Sequence, residues 1–357
     1  MSFPTITEVR ADPAHADRIG AMVDVRTAVA LDEWGTLDLV DPLETELAWL
    51  RDQGFTRRAY LAAVEDGRTV GAVFLELPMQ DNTTTAWLNL VVLPEARGRG
   101  IGSALHDAAL DWLRMAGRTV VQASTDQRSE PAPGPSTLAP PTGAGLVRAD
   151  SADVRFMRHR GWTLEQVERR SVLTLPLEDG VLDRFHADAA AAAGPDYRLL
   201  AWGDETPEEW LDQYVSVVRR MSTDVPLGGM QWQEQMWNAD RIRAWEERAR
   251  SSGRNLVVSA VEHVPTHTLA AFTNLETAAH TDECVHQGDT LVVPEHRGRR
   301  LGMLVKAANL RRLADEHPAV RRVDTWNAEE NRWMLAINVA LGFRHSGGSG
   351  EWQLHLD

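Results

Sequence analysis

The stretch LVVLPEARGRGIGS, Leu90 to Ser103, returns 200 residues later as TLVVPEHRGRRLGM, Thr290 to Met303. Each copy reads as an apolar strand (Leu90 to Leu93; Leu291 to Val293), a Pro-Glu turn, and the Arg/Gly-rich start of an amphipathic helix. A turn of this kind aims several backbone N–H groups at one spot, and the helix dipole adds positive potential there. Such a place suits a phosphate or pyrophosphate. The repeat therefore predicts two domains carrying one anion-binding device each.

Spacing narrows the ligand. Neither copy has the lysine of a nucleotide-binding P-loop, and Gly98-Arg99-Gly100-Ile101-Gly102 misses the dinucleotide pattern by one position. NAD and ATP are thereby disfavoured. Arg97-x-x-Gly100-x-Gly102 instead resembles the acetyl-CoA pyrophosphate loop of the GCN5-related N-acetyltransferases (GNAT), written Gln/Arg-x-x-Gly-x-Gly/Ala; Arg297-x-x-Arg300-x-Gly302 resembles the same loop with its middle glycine replaced. Beyond the second loop come a strand reading Val320 to Trp326, an Asn-led helix from Asn327, and Leu341-Gly342-Phe343, the order of the second half of that fold. Arg118 to Thr125, Asp150 to Arg160 and Gly161-Trp162 are the first-half equivalents. The layout is similar to tandem GNAT proteins such as mycothiol synthase and acetyltransferases of actinobacterial secondary metabolism.

The resemblance implies an α+β chain of two GNAT domains, each a mixed, mostly antiparallel sheet flanked by helices. The expected division is an N-terminal domain over 1–178, an alanine-rich connector over 179–195 closed by Gly194-Pro195, and a C-terminal domain over 196–357. Within the first domain the reading is a strand at Ile6 to Arg10, helices at Ala14 to Leu31 and Pro42 to Gln53, strands at Ala59 to Glu65 and Thr69 to Leu77, and a last strand at Ser171 to Leu175. The helix-end glycines Gly161 and Gly342 are 181 apart, so the first copy holds 19 extra residues. They fall in the Pro-rich stretch 127–147, which reads as a loop. It is expected to be a surface insertion in a domain that does not catalyse, the other reading being a lid.

Composition agrees with two soluble domains. The chain has 357 residues, against roughly 150 per domain, and the N-terminal stretch has no apolar signal region, so a cytoplasmic protein without a membrane partner is expected, as a monomer or homodimer. A single cysteine, Cys284, leaves no intramolecular disulfide and no multi-cysteine metal site, and no metal is expected. A net charge of -15 argues against a nucleic-acid partner and favours a cationic acceptor through long-range attraction. An anionic cofactor then needs local positive islands, which Arg97, Arg99, Arg297, Arg299 and Arg300 can supply.

For acetyl transfer from acetyl-CoA to a small-molecule amine, the resemblance implies cofactor contacts from Val91, Val92, Arg97, Gly98, Arg99, Gly100, Ile101, Gly102 and Ser103 in one domain. In the other they are Leu291, Val292, Val293, Arg297, Gly298, Arg299, Arg300, Leu301 and Gly302, with Asn327 and Asn331 as amide partners on one helical face. Arg300 is expected to be near-helical and so to fit where Gly100 stands. A protonated amine is no nucleophile, so a base is needed. Asp289 and Glu276 stand where the family often places one; the first domain has Asn89 and Glu76 there, which points to the C-terminal domain as catalyst. His280 and His286 could relay the proton. Asn338 occupies the place of the family's thiolate-protonating tyrosine, and Met157 its counterpart, so neither domain has an acid there. Met230, Trp232 and Trp237, in a chain of 13 tryptophans, are the expected acceptor-binding residues. Two other functions fit the sequence: a non-catalytic acyl-CoA sensor or structural protein, and a protein acetyltransferase.

Overall fold

The computed structural model describes residues 4–51 and 53–357. These form two compact units that are not simple halves. One comprises Met1–Glu168, Leu227–Gln233 and Gly347–Asp357; the other comprises Arg169–Pro226 and Glu234–Ser346. Where the sequence suggests a division at 178 and 196, the chain passes between the units at 168/169, sends 227–233 back to the first, and ends in it.

The first unit begins with β1 (Thr5–Val9), α1 (Ala16–Trp34) and α2 (Leu43–Trp49), followed by β2 (Thr56–Glu65), β3 (Arg68–Pro78) and β4 (Thr85–Val92). The helix expected to reach Gln53 stops earlier, and Asp52 lies outside the described residues. Next come α3 (Ile101–Met115), β5 (Val120–Gln127), the short β6 (Thr137–Leu138) and β7 (Val147–Arg148), α4 (Ala152–His159) and β8 (Thr163–Thr174), which belongs to the second unit from Arg169 onward. Apolar residues at helical spacing on α3, Ile101, Leu105, Ala109 and Leu113, are all buried against the sheet. The insertion is not all loop: Thr137 pairs with Arg148 and Leu138 with Val147, and Val147 is buried in the core. A short ladder anchored by one apolar side chain gives the Pro-rich stretch a defined shape.

The second unit contains α5 (Val181–Ala193), β9 (Tyr197–Trp202), α6 (Glu208–Asp224), α7 (Ala239–Ser251), β10 (Leu256–His263) and β11 (Thr268–Thr277). It continues with β12 (Cys284–Val292), α8 (Leu301–Glu316), β13 (Arg322–Ala328) and α9 (Arg332–Leu341), and β14 (Arg344–His355) begins in it. Strand side chains alternate between two cores: Val257, Val261, Ala271 and Val285 face α8, while Val258, Ala260, Phe272 and Leu291 face α6 and α7. Helix α8 is buried from Leu301 to Leu310 without a polar face, because α5 packs on it through small residues, among them Ala189 and Ala193. The alanine-rich segment expected as a connector is thus a structural layer of this unit.

In the first unit residues 347–355 of β14 insert between β5 and β8, running antiparallel to β5 from Gly348 opposite Gln127 to His355 opposite Val120. Trp352, with no exposed surface, is its anchor, and its Nε1 donates to Thr125 Oγ1 at 2.9 Å. Gly350 leaves room beside it, since a Cβ there would stand 2.9 Å from Leu164 and Val147. Trp352→Ala is expected to cost about 3–5 kcal/mol in denaturant unfolding and to lower amide-exchange protection across 120–127. A loss under about 1 kcal/mol would show that the strand does not hold the first unit together.

Candidate functional site

Each unit presents a strand, a 3-10 turn and a helix start in one geometry. The turns are Pro94–Ala96 and Pro294–His296. Gly98 and Gly100 have φ of 74° and 82°, and Gly298 and Arg300 have 81° and 57°. Left-handed residues alternating with extended ones turn successive N–H groups to one side, the arrangement that cradles an anion. Arg300 is left-handed, correcting the expectation of a near-helical residue; a side chain in that region costs roughly 1 kcal/mol. Gly302 is needed for packing, since a Cβ there would lie 3.0 Å from Ile337 of α9.

The arginines divide the loops. Arg97 and Arg297 each donate from Nε to the carbonyl of the strand's last residue, Val92 at 3.2 Å and Val292 at 3.1 Å, stapling turn to strand. In the first unit the charge is then neutralised: Arg97 pairs with Asp32 at 3.1 Å and Arg99 with Glu65. In the second unit Arg299 lies over the Tyr197 ring, and Arg297, Arg299 and Arg300 pair with no carboxylate among the described residues. Free cationic charge at a helix N-terminus makes the second loop the stronger anion site.

The strands feeding the loops differ in register. In the first unit β3 and β4 pair without interruption from Gly71 opposite Val92 to Glu76 opposite Trp87, with Asn89 opposite Phe74. In the second, Thr273 faces Thr290 but Leu275 faces Gln287, so Gly288 and Asp289 together oppose Asn274. This is a β-bulge, which bends the strand and re-aims a side chain. Gly288 suits it because a Cβ would stand 2.8 Å from Asn274 Oδ1 and 3.0 Å from its Nδ2. Gln287 pins the fold of the bulge, donating from Nε2 to Asn274 O at 2.7 Å and Thr273 Oγ1 at 3.0 Å.

On the other side β12 and β13 pair in parallel only from Cys284 opposite Arg322 to Gln287 opposite Thr325. The strands part where the bulge begins, so the backbone of 288–292 borders a slot that leads to the loop. Leu291 and Val293 point their side chains into one core while Val292 packs in the other, leaving main-chain groups as what this stretch offers a ligand. In the first unit β4 and β5 pair only over Thr85 to Trp87, which leaves Val91 and Val92 on a similar open edge; beyond it Ile101, Gly102 and Ser103 begin α3 as Leu301 and Gly302 begin α8.

Asp289 is half-buried, and burial of its carboxyl raises its pKa from 3.8 to about 6. Tyr214 of α6 is beside it: the phenol is pushed well above its ordinary range by burial first, then by the charges of Asp289 and Glu246. Trp202 and Phe272 meet the Tyr214 ring edge-on, each at 5.3 Å. The result is a buried aromatic cluster next to a carboxyl of raised pKa. Tyr214 and Gly288 belong to this candidate site and are not among the residues the sequence singles out. Gly288-Asp289 immediately before the repeated strand, where the first copy has Leu88-Asn89, is the signal available for one of them.

Other expected residues are placed elsewhere or already engaged. Glu276 is taken by Arg254 at 2.5 Å, as Glu76 is by Arg58 at 3.1 Å. His280 is exposed on a turn, and His286 lies opposite Glu276 and Asp324 on β12. Asn327 belongs to β13 rather than to a helix face; it accepts from Asn338 Nδ2 at 2.7 Å, while Asn331 caps α9 through Met334 N. Asn338 is buried with an Oδ1 that has no hydrogen-bond partner. Met230 and Trp232 lie in the 227–233 segment of the first unit, whose backbone is held by Gln353, Gln122 and Asn82. Trp237 alone of the three is in the second unit, half-buried under Arg241. Position 106/306 is a buried base in both helices: His106 accepts from Trp162 Nε1 at 3.0 Å, and Lys306 lies 5.4 Å from the Phe343 ring, with burial lowering its pKa to about 7.

Comparison with known proteins agrees with this geometry. Residues 28–132 match the model of the acetyltransferase (GNAT) family. No curated protein sequence matches the chain. The solved tandem GNAT protein from the clavulanic acid biosynthesis pathway is 26% identical and superposes with a TM-score of 0.74 over 98% of each chain. A GCN5-related N-acetyltransferase from Sphaerobacter thermophilus shares the fold at 15% identity, with a TM-score of 0.60 over 99% of this chain and 97% of that one. A glucosamine N-acetyltransferase region of a fungal β-N-acetylglucosaminidase shares it at 15% identity and a TM-score of 0.62, over 99% of this chain and 38% of that one. Among the described residues no helix is long and apolar enough to cross a membrane. The chain is a tandem GNAT-fold protein related to the tandem GNAT protein of clavulanic acid biosynthesis.

Proposed function

We propose that the protein transfers an acetyl group from acetyl-CoA to the amine of a small molecule, with the second unit as catalyst and the first as scaffold or residual CoA site. The observation that carries this reading is the bulge at Gly288 and Asp289, which the first unit lacks. It sets a carboxyl of pKa about 6 at the mouth of the slot between β12 and β13. That value is low enough to be ionised at neutral pH and high enough to accept a proton from an ammonium through a well-placed contact.

The residues divide the work. N–H groups of Gly298 to Gly302 and the unpaired guanidiniums of Arg299 and Arg300 hold the pyrophosphate; the open edge of 288–292 and the amide of Asn338 align the pantetheine arm. Acetyl-CoA supplies the thioester. Asp289 would take the proton from the acceptor ammonium so that the free amine could attack the carbonyl carbon, with a strand N–H at its oxygen, and the proton the nitrogen then sheds as the amide forms would pass to solvent, balancing the one the thiolate takes up. Asn338 cannot protonate the thiolate, which leaves with a proton from water, its pKa being about 8.5 for an ordinary thiol. The buried aromatic cluster of Tyr214, Trp202 and Phe272 keeps the surroundings of Asp289 apolar, and the chain's charge of -15 draws in a cation.

The test is calorimetric binding of acetyl-CoA followed by a thiol-release screen over amines, amino acids and amino sugars. A hundredfold excess of ligand over Kd is expected to stabilise the fold by about 2.7 kcal/mol; no binding at millimolar acetyl-CoA would remove the reading. Gly302→Glu is expected to abolish turnover, because its side chain is driven against Ile337 and displaces the helix start that forms the loop, whereas Gly102→Glu, with more room, keeps most of it. The reverse pattern would transfer catalysis to the first unit.

For Asp289→Asn, kcat/KM is expected to fall by about 10² or more with acetyl-CoA affinity within a few fold. The wild-type profile should drop tenfold per pH unit below about 6, and the variant should lose that limb. Stability moves the other way. Since folding raises this pKa, ionisation costs the native state above pH 4 and in full above pH 6. Asn should therefore raise Tm at pH 8, with the gain vanishing as pH falls from 6 to 4. An unaltered pH–rate profile would assign the base elsewhere.

Gly288→Ala puts a methyl against the Asn274 amide and should reduce kcat more than tenfold while acetyl-CoA affinity changes little. Adding Asn274→Ala, which makes room for the methyl, should restore part of the rate. If the double variant is no better than the single, the Gly288 contact does not position Asp289.

A further inference from the structure

We propose that the Pro-rich insertion of the first unit and α4 enclose a binding site for a small phosphorylated molecule, a site independent of acetyl transfer. A cleft of about 510 Å³ opens there, with Pro135, Ser136, Ala149 and Asp150 on one wall and Arg155, Arg158 and His159 on the other. The insertion wall is built rather than loose. Ala149 N donates to Ser136 O at 2.9 Å, Thr137 Oγ1 donates to Gly134 O at 2.8 Å, Gln127 Nε2 donates to Leu146 O at 2.7 Å, and Val147 is fixed in the core.

The helix wall carries more positive charge than the cleft answers: Asp150 lines it too, but it is paired with Arg148 and acts on Arg155 only at longer range. Spacings of three and four put Arg155, Arg158 and His159 on one face of α4, and all three are exposed. None makes a hydrogen bond or ion pair with a protein group among the described residues. Their neighbours do: Arg148 pairs with Asp150 at 3.2 Å, Arg160 with Asp107, and Arg128 donates to Glu33 O. The helix dipole favours Arg158 and His159 in the last turn, but not Arg155 a turn earlier, and it gives no reason for a wall opposite. In a chain of net charge -15, two like-charged guanidiniums one turn apart lose helix stability unless an anion sits between them. Two planar forks, an imidazole and the Ser136 hydroxyl match the oxygens of a phosphate. The volume leaves room for a sugar or nucleoside body beyond it.

Isothermal titration of the full chain at fixed ionic strength, with inorganic pyrophosphate, glucose 6-phosphate and adenosine 3′,5′-bisphosphate as probes, tests the site. Binding of at least one probe is expected, weakened tenfold or more by R155A/R158A with Tm unchanged, since both side chains are exposed. Gly102→Glu and Gly302→Glu should leave it intact. Preference for the bisphosphate would identify the head group of CoA as the source, and preference for the sugar phosphate a separate metabolite; either supports the site. No binding, binding lost equally in sodium chloride of matched strength, or binding lost with the loop variants but kept in R155A/R158A would overturn it.

Discussion

A parallel strand pair that stops halfway governs this protein. β12 and β13 are bonded over four residues and then part, so main-chain groups on their facing edges lose their partners in a place bordered by packed side chains. Buried peptide groups are costly to leave unpaired. On the function proposed above, the slot would take another amide-bearing chain, and the turn that follows collects N–H groups at the start of α8, a place that suits an anion. The site follows from how the strands separate, and the side chains refine it.

The two units apply this device unequally. The first has the more regular loop, with glycine at both left-handed positions, but its arginines are answered by Asp32 and Glu65 and its motif strand pairs without a break. The second accepts a left-handed arginine and an extra strand residue, each a local cost. In return it has uncompensated positive charge at the loop and a carboxyl whose pKa burial lifts toward neutrality. Strain and unpaired charge concentrated in one copy are what a working site and a scaffold are expected to differ by.

Stability and function are also distributed along the chain in ways that a repeat does not suggest. The strand that completes the first unit's sheet comes from residues 347–355, and 227–233 lie in the same unit, with amide side chains of Gln122, Gln353 and Asn82 reading their backbone. Neither stretch carries a strong local signal. Glycines and serines at 346–350 look like a turn in sequence and become a strand because Trp352 and Gly350 fit against Val147 and Leu164.

The sequence by itself determined the repeated strand, turn and helix, the α+β class and most element positions, because apolar periodicity, proline and glycine act over a few residues. It also singled out Asp289, through the contrast with Asn89. Only the tertiary structure decided which groups are free to act. Glu276 and Asp289 are equivalent carboxylates on paper, yet one is held by Arg254, which is 22 residues away in sequence, and the other sits in a bulge. Tyr214, on a helix 75 residues before Asp289, comes beside it through packing between Trp202 and Phe272, and Met230 and Trp232 lie in a segment of the first unit. Such outcomes depend on contacts between residues distant in sequence, where register, desolvation and ion pairing are set, and no local pattern encodes them.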